Sequence, residues 1–317
     1  MTYLKGAYEA LERAISEAQH VLLLTDQRPD GDTFGSSLAF AEFLRGCGKR
    51  VTHFATTPPL PEFAFLPGIE TCTSDAAVLD DPSIDLVMSF DSSREEVILP
   101  LVKGSAPLAV VDHHASNTCF GDINVVDASA TSTCEVVYNA LVHWGAVCTP
   151  DMAKCLVTGL VTDTRAFSNS VANLRAFAMG TELLLKGGKM TPAIGQVIQA
   201  TSVAKLRLWG CVFSRLRFIP HLGLAVTAVL QSDFNDASGA SEDDIAEISD
   251  YLGASLDVRV ILLIKERHDG IKVSVRSHGV DLLPLVKAFG GGGHPNAGGF
   301  FLPGARLAQR GGQLVVE

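Results

Sequence analysis

Ionisable residues of the kinds that bind metal ions follow several apolar runs of the sequence. They are Asp30 and Asp32 after residues 21–25, Asp91 after 85–90, Asp112, His113 and His114 after 108–111, and Asp163 after 159–162. Carboxylates packed within a few ångströms repel one another unless a cation lies between them. Oxygen-rich sets with one imidazole suit Mn²⁺ or Mg²⁺ better than Zn²⁺. Two such ions about 3.5–4 Å apart can clamp a phosphoryl group for hydrolysis.

Each of these segments also has a purely structural interpretation. The turn Pro29-Asp30-Gly31-Asp32 is common in loops, and Asp91 could cap the helix that follows it. Asp163 could be a turn residue, and a single histidine is most often a core or surface residue. Only the combination of the segments, each near a strand or helix end, favours a metal centre.

The elements that must position these residues alternate between strands and helices. Apolar runs at 21–25, 51–55, 85–90 and 108–111 predict buried strands, and the segments 33–47, 129–144, 150–163 and 174–185 predict helices. This alternation predicts an α/β fold, a doubly wound and mostly parallel sheet with helices on both faces. Ligands of such sheets bind beyond the carboxyl ends of the strands, where the acidic residues lie.

The pattern changes after Gly188. Residues 191–218 predict one long, nearly unbroken helix, followed by strands at 224–230, 258–265 and 271–276 and a glycine run at 290–293. We therefore expect a catalytic domain over 1–188, a connecting helix over 189–218 and a smaller α/β substrate-binding domain over 219–317.

Composition restricts the partners. The formal charge of -10 disfavours a protein that coats duplex DNA, because such binding needs many cationic contacts to phosphate. The seven cysteines have irregular spacing without a C-x-x-C pair, which argues against disulfides and structural zinc. The chain has no apolar stretch near the roughly 20 residues that cross a bilayer, and its first residues lack a signal-peptide layout. We expect a cytoplasmic protein without a membrane partner.

In their order, these motifs resemble those of the DHH phosphoesterases. The match consists of PDGD at 29–32, Asp91, Asp-His-His at 112–114 and Asp163, and the run GGGGHPNAGG at 290–299 resembles the glycine-rich motif of the associated C-terminal domain. The resemblance covers nearly the whole chain. The compact two-domain layout is most similar to the nanoRNase and pAp-phosphatase subgroup.

The resemblance implies a role for each matching residue. Asp30 would bind a first metal ion, Asp32 a second, and Asp91 both, while His113 and Asp163 would complete the second site. His114 would donate to the scissile phosphate, and Asp112 would orient the histidines. The resemblance implies two divalent cations, with Mn²⁺ preferred and Mg²⁺ as the alternative.

In the C-terminal domain the resemblance implies a substrate-binding set: Arg276, Ser277, Gly291, Gly292, Gly293 and His294. Without the resemblance, the glycine run would be interpreted as a flexible hinge. The implied partner is short RNA or a small nucleotide, held in a cleft that closes between the domains. The resemblance also suggests a homodimer.

Two positions depart from the family pattern. Asp26 stands where the family has a histidine that binds the first metal, and Arg165 stands where the subgroup has a glycine. Asp26 either ligates the first metal through oxygen or leaves that site weak. Arg165 either adds a phosphate contact, narrows the cleft or is a solvated surface cation.

Three functions are compatible with these features. The first is hydrolysis of short oligoribonucleotides, with removal of the 3′-phosphate of pAp as a second activity. The second is a phosphodiesterase for cyclic or linear dinucleotides such as c-di-AMP, pApA or pGpG. The third is a nucleotide-binding regulatory protein whose metal site is impaired by Asp26.

Overall fold

The chain forms two compact units, Met1–Ala200 and Thr201–Glu317. A computed structural model of the protein describes residues 2–27, 29–169, 171–199, 202–237, 239–240, 243–310 and 313–317. The dividing point falls inside the segment 189–218. The domain boundaries expected from the sequence, 1–188 and 219–317, stay predictions.

The first unit is built on a six-stranded parallel sheet in the order β3-β2-β1-β4-β5-β6. The strands are β1 (His20–Leu24), β2 (Arg50–Phe54), β3 (Cys72–Thr73), β4 (Leu86–Phe90), β5 (Leu108–Asp112) and β6 (Ile123–Val126). The strand order reverses between β1 and β4, which is the topological switch point of a doubly wound sheet. The predicted fold class is confirmed, although β3 and β6 were not predicted.

Helices precede, connect and follow these strands. They are α1 (Thr2–Glu17), α2 (Gly31–Gly46), α3 (Glu95–Ile98), α4 (Thr133–His143), α5 (Pro150–Asp163), α6 (Leu174–Leu185) and α7 (Met190–Gln199), with 3₁₀ turns at Pro61–Phe63, Ile69–Thr71, Ala76–Asp80 and Leu99–Leu101. Alternate residues of β1 point to opposite faces of the sheet. Val21 and Leu23 pack into the larger core with α2, α4 and α5, and Leu22 and Leu24 pack against the face covered by α3 and the short turns.

The second unit contains a mixed sheet in the order β11-β12-β10-β9-β8-β7 and a two-stranded sheet, β13-β14. Its elements are α8 (Val203–Ser214), β7 (Arg217–Ile219), a 3₁₀ turn (Pro220–Leu222), β8 (Leu224–Val229), α9 (Gln231–Asp236), α10 (Asp243–Ser255), β9 (Val260–Arg267), β10 (Gly270–Ser277), α11 (Leu283–Ala288), β11 (Gly292–His294), β12 (Ala297–Pro303), β13 (Leu307–Arg310) and β14 (Gln313–Val316). Gly292 and Gly293 of the glycine run are therefore part of the hairpin β11–β12, and the run is not a hinge.

The prediction of one nearly unbroken helix over 191–218 is wrong. The segment contains α7 and α8, and residues 200 and 201 lie outside the described residues. Ser202 is extended (ψ 154°) and its side chain accepts the Lys205 N–H, so it begins a new helix as an N-cap. Residues 217–219 form strand β7, antiparallel to β8. In the part of the chain that the structure describes, no helix combines the length and apolar character required to span a membrane.

His53 on β2 is a buried imidazole whose Nδ1 lies 3.2 Å from Cys72 Sγ, and among the described residues its Nε2 has no hydrogen-bond partner. Burial, with a smaller contribution from the Arg45 charge, lowers the pKa of His53 from 6.5 to about 3. The folded protein thus keeps this ring neutral where the unfolded chain would protonate it.

This difference predicts acid sensitivity of the fold. Below pH 6.5 His53 binds a proton in the unfolded state but stays neutral in the folded state. The contribution of this group to the free energy of unfolding is therefore complete above pH 6.5, and it falls on acidification towards about pH 3. The expected slope is about 1.4 kcal/mol per pH unit. Denaturant unfolding at pH 6.5 and 4.5 measures it. His53→Met should flatten the dependence, and the exposed control His268→Gln should not; equal slopes in all three proteins would contradict the assignment.

Candidate metal centre

The site lies at the carboxyl edge of the first sheet, beside the switch point between β1 and β4. Asp91 follows β4 directly, Asp112 ends β5, and Asp32 lies in the first turn of α2, the helix after β1. Asp163 is the last residue of α5. The chain connectivity of the fold therefore brings together residues that are far apart in the sequence.

Two sets of donor atoms lie within 4.8 Å of one another, Asp32 with His113 and Asp163, and Asp91 with His113 and His114. His113 Nε2 lies 3.2 Å from Asp163 Oδ2, 3.7 Å from Asp91 Oδ1 and 4.0 Å from Asp32 Oδ2. We call Asp32, Asp91, His113 and Asp163 the inner group. Donors that share one ion at about 2.1 Å lie up to about 4.2 Å apart, so small adjustments bring this group onto a divalent cation.

The start of α4 holds the two central carboxylates of the inner group. The N–H groups of Thr133 and Cys134 donate to Asp32 at 2.5 and 2.9 Å. The Thr133 hydroxyl donates to Asp91 Oδ1 at 3.0 Å, and the Thr33 hydroxyl donates to Asp91 Oδ2 at 2.7 Å. A helix N-terminus carries partial positive charge, so it stabilises Asp32, which is completely buried.

Asp91 has a left-handed backbone, with φ at 57°. L-residues other than glycine seldom adopt this region, although aspartate and asparagine tolerate it best. Its N–H donates to Val111 O at 3.0 Å, which fixes the turn to the neighbouring strand β5. The turn directs the Asp91 side chain towards His113 instead of continuing β4.

Glycines allow α2 and α5 to approach closely enough to join Asp32 and Asp163. A Cβ added at Gly159 on α5 would overlap the Asp32 carboxylate and Cys134 Sγ, and would lie 2.8 Å from Asp32 Cα. A Cβ at Gly35 on α2 would lie 2.5 Å from Cys155 O and 3.1 Å from Gly159 N. The close crossing therefore requires both glycines.

Crowding of acids raises the affinity of the inner group for positive charge. Burial, with repulsion from Asp163, raises the pKa of Asp32 to about 7, and burial followed by the Asp32 charge raises the pKa of Asp91 well above its ordinary value. Burial also raises the pKa of Asp163. Burial would lower the pKa of His113, but the hydrogen bond to Asp163 and the neighbouring carboxylates raise it to about 9.

Asp112 is a buried anchor for the two histidines. Its Oδ1 accepts the His113 N–H at 2.8 Å and the His114 Nδ1–H at 2.7 Å, and its Oδ2 accepts the Asn117 amide at 2.7 Å. The hydrogen bond to Asp112 raises the pKa of His114. His114 is about half exposed, with 45% of its side chain accessible, so its ring borders the open side of the site.

Beside the inner group lies a cavity of about 290 Å³, the outer pocket. It is lined by Asp26, Asp30, Thr33, Asp91, Ser92, Ser93, Arg94 and His114. Asp30 caps α2: its Oδ1 accepts the N–H groups of Asp32 and Thr33 at 2.9 and 3.1 Å. Among the described residues, Asp26 and Asp30 belong to neither set of clustered donor atoms.

Asp26 is paired with an arginine. Arg94 Nε donates to Asp26 Oδ2 at 3.2 Å, and Arg94 Nη2 contacts Oδ1. Ser92 Oγ donates to Oδ2 at 3.0 Å, and the Gln27 N–H contacts Oδ1. Burial would raise the pKa of Asp26, but these hydrogen bonds, first that of Arg94, hold it below its ordinary value.

The predicted residues of the second unit lie on its mixed sheet. The strand register places Arg276, Ala297 and His294 in one row across β10, β12 and β11. Ser277 comes next on β10, is buried, and donates to Val280 O at 2.5 Å. A separate cavity of about 480 Å³ is lined by Arg267, Asp269, Lys272, Gly291, Gly299, Phe300 and Phe301.

Two glycines of the run 290–293 lie so close to the neighbouring strand that a side chain would not fit. Gly293 has φ at 146° and lies against Ala297 and Gly298 of the partner strand β12. A Cβ at Gly291 would lie 2.6 Å from Phe300 Cβ. The tight hairpin explains why these positions carry no side chain.

Sequence reasoning missed several residues of the site: Thr33, Ser92, Arg94, Asn117 and Thr133. Residues 129–133 are rich in Ser and Thr, and Ser132 caps α4. A helix start of this kind also binds anions, which is the local signal for Thr133. Arg94 had no local signal, because its contact with Asp26 spans 68 positions. Arg165, Ala166 and Phe167 follow Asp163 with φ of 46°, 55° and 64°, so the position expected to hold glycine is left-handed.

The donor set of the inner group fits a divalent cation. Three carboxylates and one imidazole are the ligands that Mn²⁺ and Mg²⁺ accept, and the acidic side chains of the group outnumber the basic one. The outer pocket fits a second cation less well, because the carboxylate of Asp26 is already paired. All seven cysteines are free thiols and lie outside both donor sets.

Family models, relatives and a solved structure all relate the chain to proteins of the DHH type. Residues 20–160 match the model of the DHH family, N-terminal domain, and residues 223–311 match the DHHA1 domain. The chain is 32% identical to the bifunctional oligoribonuclease and PAP phosphatase NrnA of Thermus thermophilus over 95% of its own length and 88% of that protein. It is 25% identical to the protein of the same name from Bacillus subtilis, over 91% of each chain. A crystal structure of an exopolyphosphatase-related protein from Bacteroides fragilis has the same fold, with a TM-score of 0.75, 23% identity and coverage of 95% and 92%.

The helix crossing generates a prediction. Gly159→Ala should force Asp32 away from its helix-start donors, lowering the free energy of unfolding by about 1–3 kcal/mol and weakening Mn²⁺ binding at least about tenfold. Gly6→Ala, on an exposed face of α1 where an added Cβ meets nothing within 4 Å, is the matched control and should gain about 0.5–1 kcal/mol. Thermal unfolding and isothermal titration with Mn²⁺ measure both. Unchanged metal affinity in Gly159→Ala would show that the crossing does not position Asp32.

Proposed function

The chain belongs to the DHH family, and on that premise we propose that it is a metal-dependent phosphoesterase acting on short oligoribonucleotides and on 3′-phosphoadenosine 5′-phosphate (pAp). The names of the relatives from T. thermophilus and B. subtilis support this choice of substrates. The observation that carries the proposal is the inner group, in which Asp32, Asp91 and Asp163 converge on His113.

The proposed metal is Mn²⁺, with Mg²⁺ as the alternative. An oxygen-rich set with one imidazole supports a hard or borderline divalent ion over Zn²⁺. The expectation of two ions, with Asp30 and Asp91 as ligands of the first and Asp32 and Asp91 as ligands of the second, rests on the family resemblance. When bound, divalent cations lower the pKa of a water molecule and neutralise phosphoryl oxygens.

The protein's own residues would orient the reacting groups. In the hydrolysis, a water oxygen forms a bond to phosphorus, one P–O ester bond breaks, and the leaving oxygen takes up a proton. Asp112 accepts from His114 Nδ1, which leaves Nε2 as the nitrogen that can donate to a phosphoryl oxygen. Since the Asp112 hydrogen bond raises the pKa of His114, the protonated, donating form is favoured.

The second unit would bind the rest of the substrate. Arg276 and His294 share one row of the sheet, which supports a joint contact with a terminal phosphate, and Gly291, Gly292 and Gly293 present backbone beside them. Ser277 donates to a backbone carbonyl, so its proposed part in binding would need that hydrogen bond to be exchanged. The cytoplasmic location and the homodimer stay predictions.

A turnover panel separates the proposed function from its alternatives. RNA of two to four nucleotides, pAp, pApA, pGpG and c-di-AMP should be compared with Mn²⁺, with Mg²⁺ and after chelation. Preference for the cyclic substrate would favour the dinucleotide phosphodiesterase. Nucleotide binding without chelator-sensitive turnover of any of them would favour a regulatory protein.

Asp91 provides the sharpest test of the site. Asp91→Asn keeps a residue that tolerates the left-handed backbone but removes the charge that His113 faces, so kcat should fall at least about 100-fold without loss of the fold. Asp75→Asn, which replaces an exposed helix-capping carboxylate of the same unit, should retain full activity. Hydrolysis of end-labelled short RNA measures both. Near-normal turnover of Asp91→Asn would reject the proposed centre.

Arg276 tests the second unit separately. Arg276→Met should raise KM about 10- to 100-fold, because a charge-assisted hydrogen bond to phosphate is lost, while Mn²⁺ affinity stays unchanged. Arg217→Met is the control and should leave KM unchanged, because Arg217 lies on the exposed strand β7 at the opposite edge of the same sheet. A drop in kcat at unchanged KM would contradict a role in substrate binding.

A further inference from the structure

The carboxylate of Asp26 is saturated with hydrogen-bond donors. Its Oδ1 is contacted by the Gln27 N–H and by Arg94 Nη2, and its Oδ2 accepts from Ser92 Oγ at 3.0 Å and Arg94 Nε at 3.2 Å. A carboxylate offers about four lone-pair positions. All of them are used, so a metal ion could bind Asp26 only after the arginine had left.

Arg94 approaches Asp26 as a fork, with two nitrogens on the two carboxylate oxygens. Such bidentate pairs are stronger and more directional than single contacts, and a guanidinium keeps its charge at any pH the protein meets. The pair is partly shielded, with 15% of the Asp26 side chain and 38% of the Arg94 side chain accessible. Arg94 is thus a permanent cation in the wall of the outer pocket.

The two sides of the centre therefore differ in how their acids are compensated. In the inner group, Asp32, Asp91 and Asp163 all lie within 4.0 Å of the His113 imidazole, so three carboxylates share one basic side chain. In the outer pocket, Asp26 is satisfied by Arg94, and Asp30 Oδ1 is engaged at the start of α2. A divalent ion in the outer pocket would be repelled by the Arg94 guanidinium, and it would lack Asp26 as a ligand.

We propose that the Asp26–Arg94 ion pair takes the place of one cation, so that the chain holds a single divalent ion tightly in the inner group while Arg94 supplies the second positive charge. The guanidinium shares the outer pocket with Ser93 and His114, which can donate to a phosphoryl oxygen, whereas the Ser92 hydroxyl already donates to Asp26. This use of Arg94 in catalysis rests on the proposed function, but the number of bound ions does not.

The test counts metal ions on the full-length protein, stripped with chelator and titrated with Mn²⁺ alone. Isothermal titration and the paramagnetic resonance signal of free Mn²⁺ should give one tight ion per chain, with a second bound at least about 100-fold more weakly. Two ions of comparable affinity, or no tight ion, would overturn the proposal.

Paired substitutions at Asp26 sharpen the result. Asp26→His removes the anion that holds Arg94 and offers a neutral nitrogen ligand, so a second ion should bind at least about tenfold more tightly than in the wild type. Asp26→Asn removes the same anion but offers a poor ligand, so the count should stay at one. A second tight ion in Asp26→Asn would refute the role of Asp26.

Arg94→Met tests the pair from its other side. Freed of the guanidinium, Asp26 becomes a ligand and the second ion should tighten, whereas Arg50→Met, which removes an exposed arginine 3.9 Å from Asp81, should change nothing. Circular dichroism checks the fold of each variant. If Asp26→His does not fold, the number of tight Mn²⁺ ions bound by the wild type and by Arg94→Met tests the proposal. One tight ion without nucleotide turnover would reject the proposed function alone, and turnover with two equal ions would reject this inference alone.

Discussion

The structure of the first unit depends on the burial of one carboxylate. Asp32 is completely removed from solvent and lies close to two further acids, Asp91 and Asp163. Burying a charge without compensation is among the most unfavourable events in folding. The N–H groups at the start of α4 and the imidazole of His113 provide part of that compensation, and a divalent cation held by the inner group would add to it.

Several unusual local features follow from this constraint. Gly159 has no side chain because the Asp32 carboxylate occupies the space, and Gly35 allows α5 to cross α2 there. Asp91 has a left-handed backbone because its side chain must turn from the strand axis towards His113. Each feature is unfavourable or restrictive alone, and each shortens the distance between groups that a cation must join.

The sequence predicted the parts of the site that carry a local signal. A run of buried strand residues followed by an acid identifies a strand end, so Asp91 and the Asp112–His114 motif could be located before the structure was known. Their grouping followed from the parallel sheet. Arg94 could not be predicted, because its pairing with Asp26 depends on how the loops after β1 and β4 meet. The break between α7 and α8 was missed because both segments are apolar enough to suggest a continuous helix.

The position of Asp163 at the end of α5 has a thermodynamic consequence. The inner group gathers ligands from α2, the turn after β4, the end of β5 and α5, so it exists only when nearly all of the first unit is folded. An ion that binds this group and not the unfolded chain must stabilise the whole unit, by about 2.7 kcal/mol at a free concentration 100 times its Kd. Metal supply in the cell thereby becomes a determinant of how long the protein survives, and not only of how fast it works.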